Sequence, residues 1–269
     1  MNALCQMAGI SRASFYRWRM PRQATPVEMD LRDQMQQTAL EFPAYGYRRI
    51  TQELQQRGFQ VTPKRILRMM REDNLLCVRR RKAFVATTDS RHKLPVYPNL
   101  AREMKPVAIN QLWVADITYI RLRTEFVYLA VVLDAFSRRV IGWALGRTLE
   151  AKLAVAALRM ALIERRPQPG LVHHSDRGVQ YASQDYTQLL KQRSVTISMS
   201  RKGNPYDNAA CESFMKTLKY EEVYRNEYRD FHHARSCIGD FLERVYNRKR
   251  LHSALGYVPP AEFEKGATS

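Results

Sequence analysis

Three β-forming runs follow one another between Leu112 and Leu145 with little room for a helix between them. Residues 112–120 are β-branched and aromatic. Residues 125–136 (EFVYLAVVLDAF) are almost continuously apolar, and residues 139–145 form the third run. Runs this close join through tight turns, so the stretch reads as an antiparallel meander. The pattern then changes. A helical stretch at 150–166 closes at Pro167 and Gly170. After it come an apolar start that ends in His173-His174-Ser175-Asp176, a helix near 183–192, a strand at 195–199 and a helix from about 208 to 223. That order is compatible with a mixed sheet carrying helices on both faces, which is an α/β fold.

Three carboxylates stand out on these elements. Asp116 lies in the middle of the first strand, in Trp113-Val114-Ala115-Asp116-Ile117-Thr118-Tyr119-Ile120. Asp176 sits at the carboxyl end of the strand that Gly178 breaks. Glu212 sits one turn into the 208–223 helix, with 35 residues between it and Asp176. An unpaired charge inside a buried strand is costly. Asp116 therefore either faces solvent from a half-exposed strand or faces a metal ion, and its two companions favour the metal. Three oxygen-only donors suit Mg²⁺ or Mn²⁺ rather than zinc. Two such ions, ~3.5–4 Å apart, can activate a water or a 3′-hydroxyl and stabilise the leaving oxygen of a phosphodiester.

Neighbouring polar residues have blander readings. Asp134 could compete for the metal, but pairing with Arg138 or Arg139 at the strand end is preferred. Asp207 or Asn208 reads as a helix cap. Adjacent strand residues point to opposite faces, so at most one of His173 and His174 could turn toward the carboxylates. Both are expected to be structural or to stand behind the ligating residues.

The formal charge of +18 favours a polyanionic partner. Residues 1–105 carry 20 basic and 9 acidic side chains, against 24 and 17 in residues 106–269, so the amino-terminal part is the denser footprint. Within it, Gly9-Ile10-Ser11 resembles the turn of a helix-turn-helix, with little before it to supply a first helix; a short amphipathic helix is the alternative. Residues 1–41 are expected to form this helical segment, with a helix at 27–41. Residues 42–78 hold two more helices. One opens near Tyr45 and ends at Gly58. The other starts at Thr62-Pro63, a cap threonine followed by proline at the first helical position. Ile66, Leu67 and Met70 give the second helix an apolar stripe. Lys64, Arg68 and Arg71, with Arg65 beside them, give it a basic one that suits DNA. Arg79, Arg80, Arg81 and Lys82 open a proline-containing linker at 79–106 and read as a phosphate clamp. Arg201 and Lys202 form a basic turn. Lys216 and Lys219 lie four and seven residues after Glu212, on its face of the helix, where they could hold DNA phosphates. The tail, 230–269, holds one more helix and the run 247–252, assigned to core packing and DNA backbone contact.

Four cysteines without CxxC spacing point to neither a disulfide framework nor a zinc site. No signal peptide or long apolar run is present, so a reduced, cytoplasmic setting without a membrane span is expected.

The phrases HHSDRGVQYAS, SMSRKGNPYDNAACESF and YNRKRLHSALGYVPPAEF, with Asp116, Asp176 and Glu212, resemble the second-frame (OrfB) transposases of the IS-three family of bacterial insertion sequences. Those carry the DDE signature shared with retroviral integrases. The resemblance covers nearly the whole chain. It implies a ribonuclease-H-like core over 107–229, in which the strands of Asp116 and Asp176 are neighbours and the Glu212 helix packs across them. It also implies a helix-turn-helix ahead of the core, metal-dependent cleavage and strand transfer on double-stranded DNA, and a homo-oligomer on the terminal repeats and target. A product of an upstream frame, free or fused, is a further implied partner. The alternatives are a metal-dependent nuclease of the same fold and a non-catalytic DNA-binding regulator. A tyrosine recombinase using Tyr246 near Arg250 and His252 is weaker.

Overall fold

The structure is a computed structural model that describes residues 2–19, 25–77, 94–201 and 208–267. The chain forms two compact units, Met1–Cys77 and Val78–Ser269. Arg79 to Lys82, Lys202 and Asp207 lie outside the described residues.

The first unit is helical: α1 (Asn2–Met7), α2 (Arg12–Arg19), α3 (Pro26–Glu41), α4 (Tyr47–Gln56) and α5 (Pro63–Glu72). The short α1 does supply a helix ahead of the Gly9 turn, where the sequence offered little to announce one. Ser11 caps α2, its Oγ accepting from Ser14 N–H at 3.1 Å. Helices α3 and α5 start alike. Thr25 and Thr62 accept from the N–H of Glu28 and Arg65, and a proline opens each first turn, so no N–H is wasted there. Helix α4 begins two residues later than Tyr45, because Tyr45 stacks on Phe42 with ring centroids 4.5 Å apart and is buried before the helix starts. Gly58, at φ +91°, ends the helix in a conformation that side-chain-bearing residues disfavour. In α5 the apolar stripe is Ile66, Met69 and Met70, all fully buried. Leu67 is only half-buried, so the stripe lies one position round from the expected one. Arg32 of α3 closes the unit by pairing with Glu72 at 2.9 Å and with Asp73.

The second unit is built on a five-stranded sheet of β1 (Leu112–Arg121), β2 (Phe126–Asp134), β3 (Val140–Gly146), β4 (Val172–Ser175) and β5 (Thr196–Met199). Their order is β3-β2-β1-β4-β5. The first three form the antiparallel meander, while β4 and β5 add in parallel. The helices are α6 (Ala151–Arg165), α7 (Val179–Ala182), α8 (Gln184–Gln192), α9 (Ala209–Leu218), α10 (Phe231–Asp240) and α11 (Pro260–Ala267). Helix α9 runs on as wider π turns over Lys219–Val223, and α10 does so over Phe241–Tyr246.

Strand alternation sorts β1 between two cores. Leu112 and Val114 pack with Cys211, Phe214 and Leu218 of α9 and Ile238 of α10. Trp113 and Ala115 pack with Leu158 and Ala161 of α6 and with Tyr186 of α8. The sheet is thus mixed and covered on both faces.

The tail belongs to this unit. Asn247 exchanges two hydrogen bonds with Val140 of β3, at 2.8 and 3.0 Å, and Arg250 makes two at 2.7 Å to Glu221. Of the expected linker, residues 94–106 are described, and two points of it touch this unit: Leu100 N–H donates to Ser198 Oγ, and Tyr97 lies against the α6-side core.

Candidate active site

Asp116 shares the parity of Val114, so alternation turns it toward the α9 side of β1, where Glu212 is carried. In the parallel pair, Val114 lies opposite His174. Asp116 and Asp176 each follow those partners by two residues, which puts them at the same level on adjacent strands. Two short hydrogen bonds fix the aspartates. Asp116 Oδ1 accepts from Ile117 N–H at 2.8 Å, and Asp176 Oδ1 accepts from Gly178 N–H at 2.9 Å. A Cβ on Gly178 would stand 3.0 Å from Asp176 Oδ1, so glycine there leaves the carboxylate room.

The electrostatics tie all three carboxylates together. Burial first, then the charges of Asp176 and Glu212, push the Asp116 carboxyl up to about 7, while Lys219 pulls it back. Burial raises the Glu212 carboxyl as well. Lys219 is half-buried, its ammonium 5.0 Å from the Tyr119 ring centre; burial lowers its pKa and Asp116 opposes that. A divalent cation would relieve the repulsion that raises Asp116, and the donors are hard oxygens, so the residues fit such an ion. Glu212 is exposed, and among the described residues no three His, Cys, Asp or Glu side chains stand close enough to enclose one ion. Asp116 and Asp176 also line a cavity of about 330 Å³, which Tyr119, Phe126, Tyr128 and Tyr181 wall and Glu212 does not reach.

Other candidates fall elsewhere. Lys216 is exposed on α9, Arg201 is exposed at the end of β5, and Lys64, Arg68 and Arg71 are exposed on α5 with Arg65 half-buried. Arg68 sits 3.6 Å from Glu72. His173 and His174 are fully buried and structural: His173 Nε2 meets the Tyr186 hydroxyl at 3.0 Å, and His174 bridges Ser198 and Ser200. Asp134 is no ligand either, but its partners differ from those expected. It accepts from the backbone N–H groups of Asn110, Phe136 and Ser137, organising the β2–β3 turn. Arg139 turns away to Glu164 and Glu264. Asn208 precedes α9 without a side-chain capping bond; its Nδ2 donates instead to Ala115 O at 3.1 Å, tying the helix start to β1 beside Asp116. The recombinase alternative fails on Tyr246. Its ring is buried between Phe214 and His252, burial drives its pKa up, and Arg250 is committed to Glu221.

Comparison with known proteins agrees with this fold. Two models described as integrase core domain match residues 106–205 and 193–260, and an HTH-like domain matches 27–83. A 31 kDa protein of insertion element IS600 from Shigella sonnei is 40% identical over 97% of both chains. The transposase InsF of insertion sequence IS3A from Escherichia coli is 35% identical over 98% of this chain and 93% of its own. The chain belongs to the IS3 family of DDE transposases. It is therefore a DNA transposase, a polynucleotidyl transferase, with a ribonuclease-H-like core and an HTH-like amino-terminal region. A chain of a simian T-cell lymphotropic virus intasome shares the fold, with a TM-score of 0.50 at 16% identity over 82% of this chain and 70% of that one. No helix among the described residues is long and apolar enough to cross a membrane.

The sequence reading missed the tyrosines around the cavity. Tyr119 and Tyr128 face each other across β1 and β2. Strand register is what joins them, and their separation along the chain hides it.

Proposed function

We propose that Asp116, Asp176 and Glu212 hold the divalent ions, Mg²⁺ or Mn²⁺ and two per site, with which this transposase cuts insertion-sequence ends and joins them to target DNA. The observation that carries this is the placement of Asp116 and Asp176 at one level of β1 and the end of β4, lining one cavity, where burial and the charges of Asp176 and Glu212 raise the Asp116 carboxyl. Bound there, the ions supply an activated water or 3′-hydroxyl and neutralise charge on the leaving oxygen. The chain's own residues do the positioning. The aspartates are set by strand register, Glu212 by α9, and Asn208 fastens the start of α9 to β1. Lys219, half-buried beside Asp116, holds a phosphate of the DNA near the reacting bond, with Lys216 further along the strand's path.

The exposed Lys64, Arg68 and Arg71 of α5, with Arg65, dock on the terminal repeat. Arg79 to Lys82, Arg201 and Lys202 add phosphate contacts. Phosphate contacts set the register, and base contacts specify the site. The protein works as a homo-oligomer on paired ends in the cytoplasm, with an upstream-frame product as a partner or fusion. Within the chain, 1–41 and 42–78 serve recognition, 79–106 connects, 107–229 catalyses and 230–269 braces the core.

Calorimetric titration of Mn²⁺ into the full chain bound to a terminal-repeat duplex tests the site. The reading expects two ions per active site, and weaker or fewer ions in Asp116→Asn, Asp176→Asn and Glu212→Gln. Unchanged stoichiometry and affinity in all three variants would overturn it.

A further inference from the structure

The cavity beside the two aspartates has features the carboxylates do not account for. Its wall is aromatic: Tyr119 and Tyr128 face each other across the strands, and Phe126, about half exposed, meets Tyr119 edge-on at 5.9 Å. Leu149 closes another side and is 39% exposed. Tyr181 lines the cavity as well and is 3% exposed.

We propose that this cavity receives a single nucleobase, turned out of the duplex at a nucleotide flanking the cut phosphate, with its ring against the Tyr119 and Tyr128 side chains. The proposal rests on the reading of Asp116 and Asp176 as the catalytic aspartates, because they line the same cavity and bring the phosphate to its mouth. A volume of about 330 Å³ stands at the small end of ligand sites and suits one ring system rather than a duplex. Aromatic side chains stack on any base, because every base has a π-face. Extrusion also gives the backbone the bend needed to carry a phosphate to carboxylates sunk beside the strand ends. The nucleotide could come from the element end or from the target; the chemistry is the same for both.

The test uses the full chain with Mn²⁺ and two sets of duplexes, one carrying the terminal repeat and one a target sequence. A thymine is placed in turn at each position flanking the cut phosphate, and permanganate reports thymines that leave the stack. Reactivity is expected at one position, on whichever duplex supplies the nucleotide. Leu149→Trp, which fills the cavity from an exposed rim, should abolish it. Tyr128→Ala should weaken binding of that duplex by about 5- to 150-fold. Tyr128→Ala should also reduce cleavage, and a mismatch at the reactive position should partly restore it in Tyr128→Ala but not in Leu149→Trp. No reactive position on either duplex, or equal reactivity in Leu149→Trp and the parent chain, would overturn the proposal. Asp176→Asn separates it from the reading beneath it: loss of cutting with the reactive thymine retained supports both, whereas cutting at the parent rate would sink the catalytic reading alone.

Discussion

Asp116 and His173 show how burial governs single residues here, with opposite signs. Asp116 is raised to about 7, so the folded protein holds a proton there that the unfolded chain releases at lower pH. A metal must displace that proton. Mn²⁺ affinity is therefore expected to rise about tenfold per pH unit below about 7 and to level off above it. Titrations at stepped pH check this, and Asp116→Asn should flatten the slope. His173 goes the other way: burial, then the neighbouring His174, lowers it to about 3. Below the unfolded value of ~6.5 the unfolded chain binds a proton that the folded protein refuses, so stability falls as pH drops through that window. Between pH 7 and 5 this one group removes about 2 kcal/mol. Urea melts of the parent and His173→Asn at both pH values should show a smaller difference in the variant. Spacing and residue type single out the three carboxylates as candidates from sequence alone. The partners of Asp134, Asn208 and His173 were not legible there, because those bonds cross between elements whose contacts no local pattern encodes.

Secondary structure was legible wherever period and caps agree. Thr62-Pro63 marks a helix start that the structure keeps, while α3 starts in the same way at Thr25-Pro26, one residue ahead of the expected bound. The meander follows from three closely spaced β runs, but the strand order did not follow from pattern alone, since β4 and β5 are short and their pairing is set by packing. The π turns after α9 and α10 carry no sequence signal of their own. Two predictions belong to elements. A Cβ on Gly142 of β3 would stand 2.2 Å from Ala157 O on α6, so Gly142→Ala must push the helix off the sheet. A loss of about 1–3 kcal/mol is expected in denaturant melts, the range seen when cores are overpacked. Helix α5 carries its basic side chains on the exposed side. Arg71→Ala should weaken binding of specific and unrelated duplexes alike and lower the salt slope by about 1, read by fluorescence anisotropy across a salt series.

The charge of the whole chain is divided in the direction the proposed division of labour calls for. The amino-terminal 105 residues hold the larger net positive charge, and the carboxylates sit in the less basic remainder. That asymmetry suits a protein that grips DNA with one part and cuts it with another. The aromatic cavity escaped the sequence reading because Tyr119, Tyr128 and Tyr181 come from three elements and look like core residues one at a time. The most direct test of the central claim is a joining assay. The full chain, fused to its upstream-frame product where needed, is incubated with a labelled terminal-repeat duplex, target DNA and Mn²⁺. Nicked ends and joined products should form, vanish with EDTA, and fall by about 10³-fold or more in Asp116→Asn, Asp176→Asn and Glu212→Gln, as expected when several kcal/mol of metal-borne stabilisation are lost. Joining at the parent rate in any one of those variants, or joining that persists in EDTA, would contradict the account.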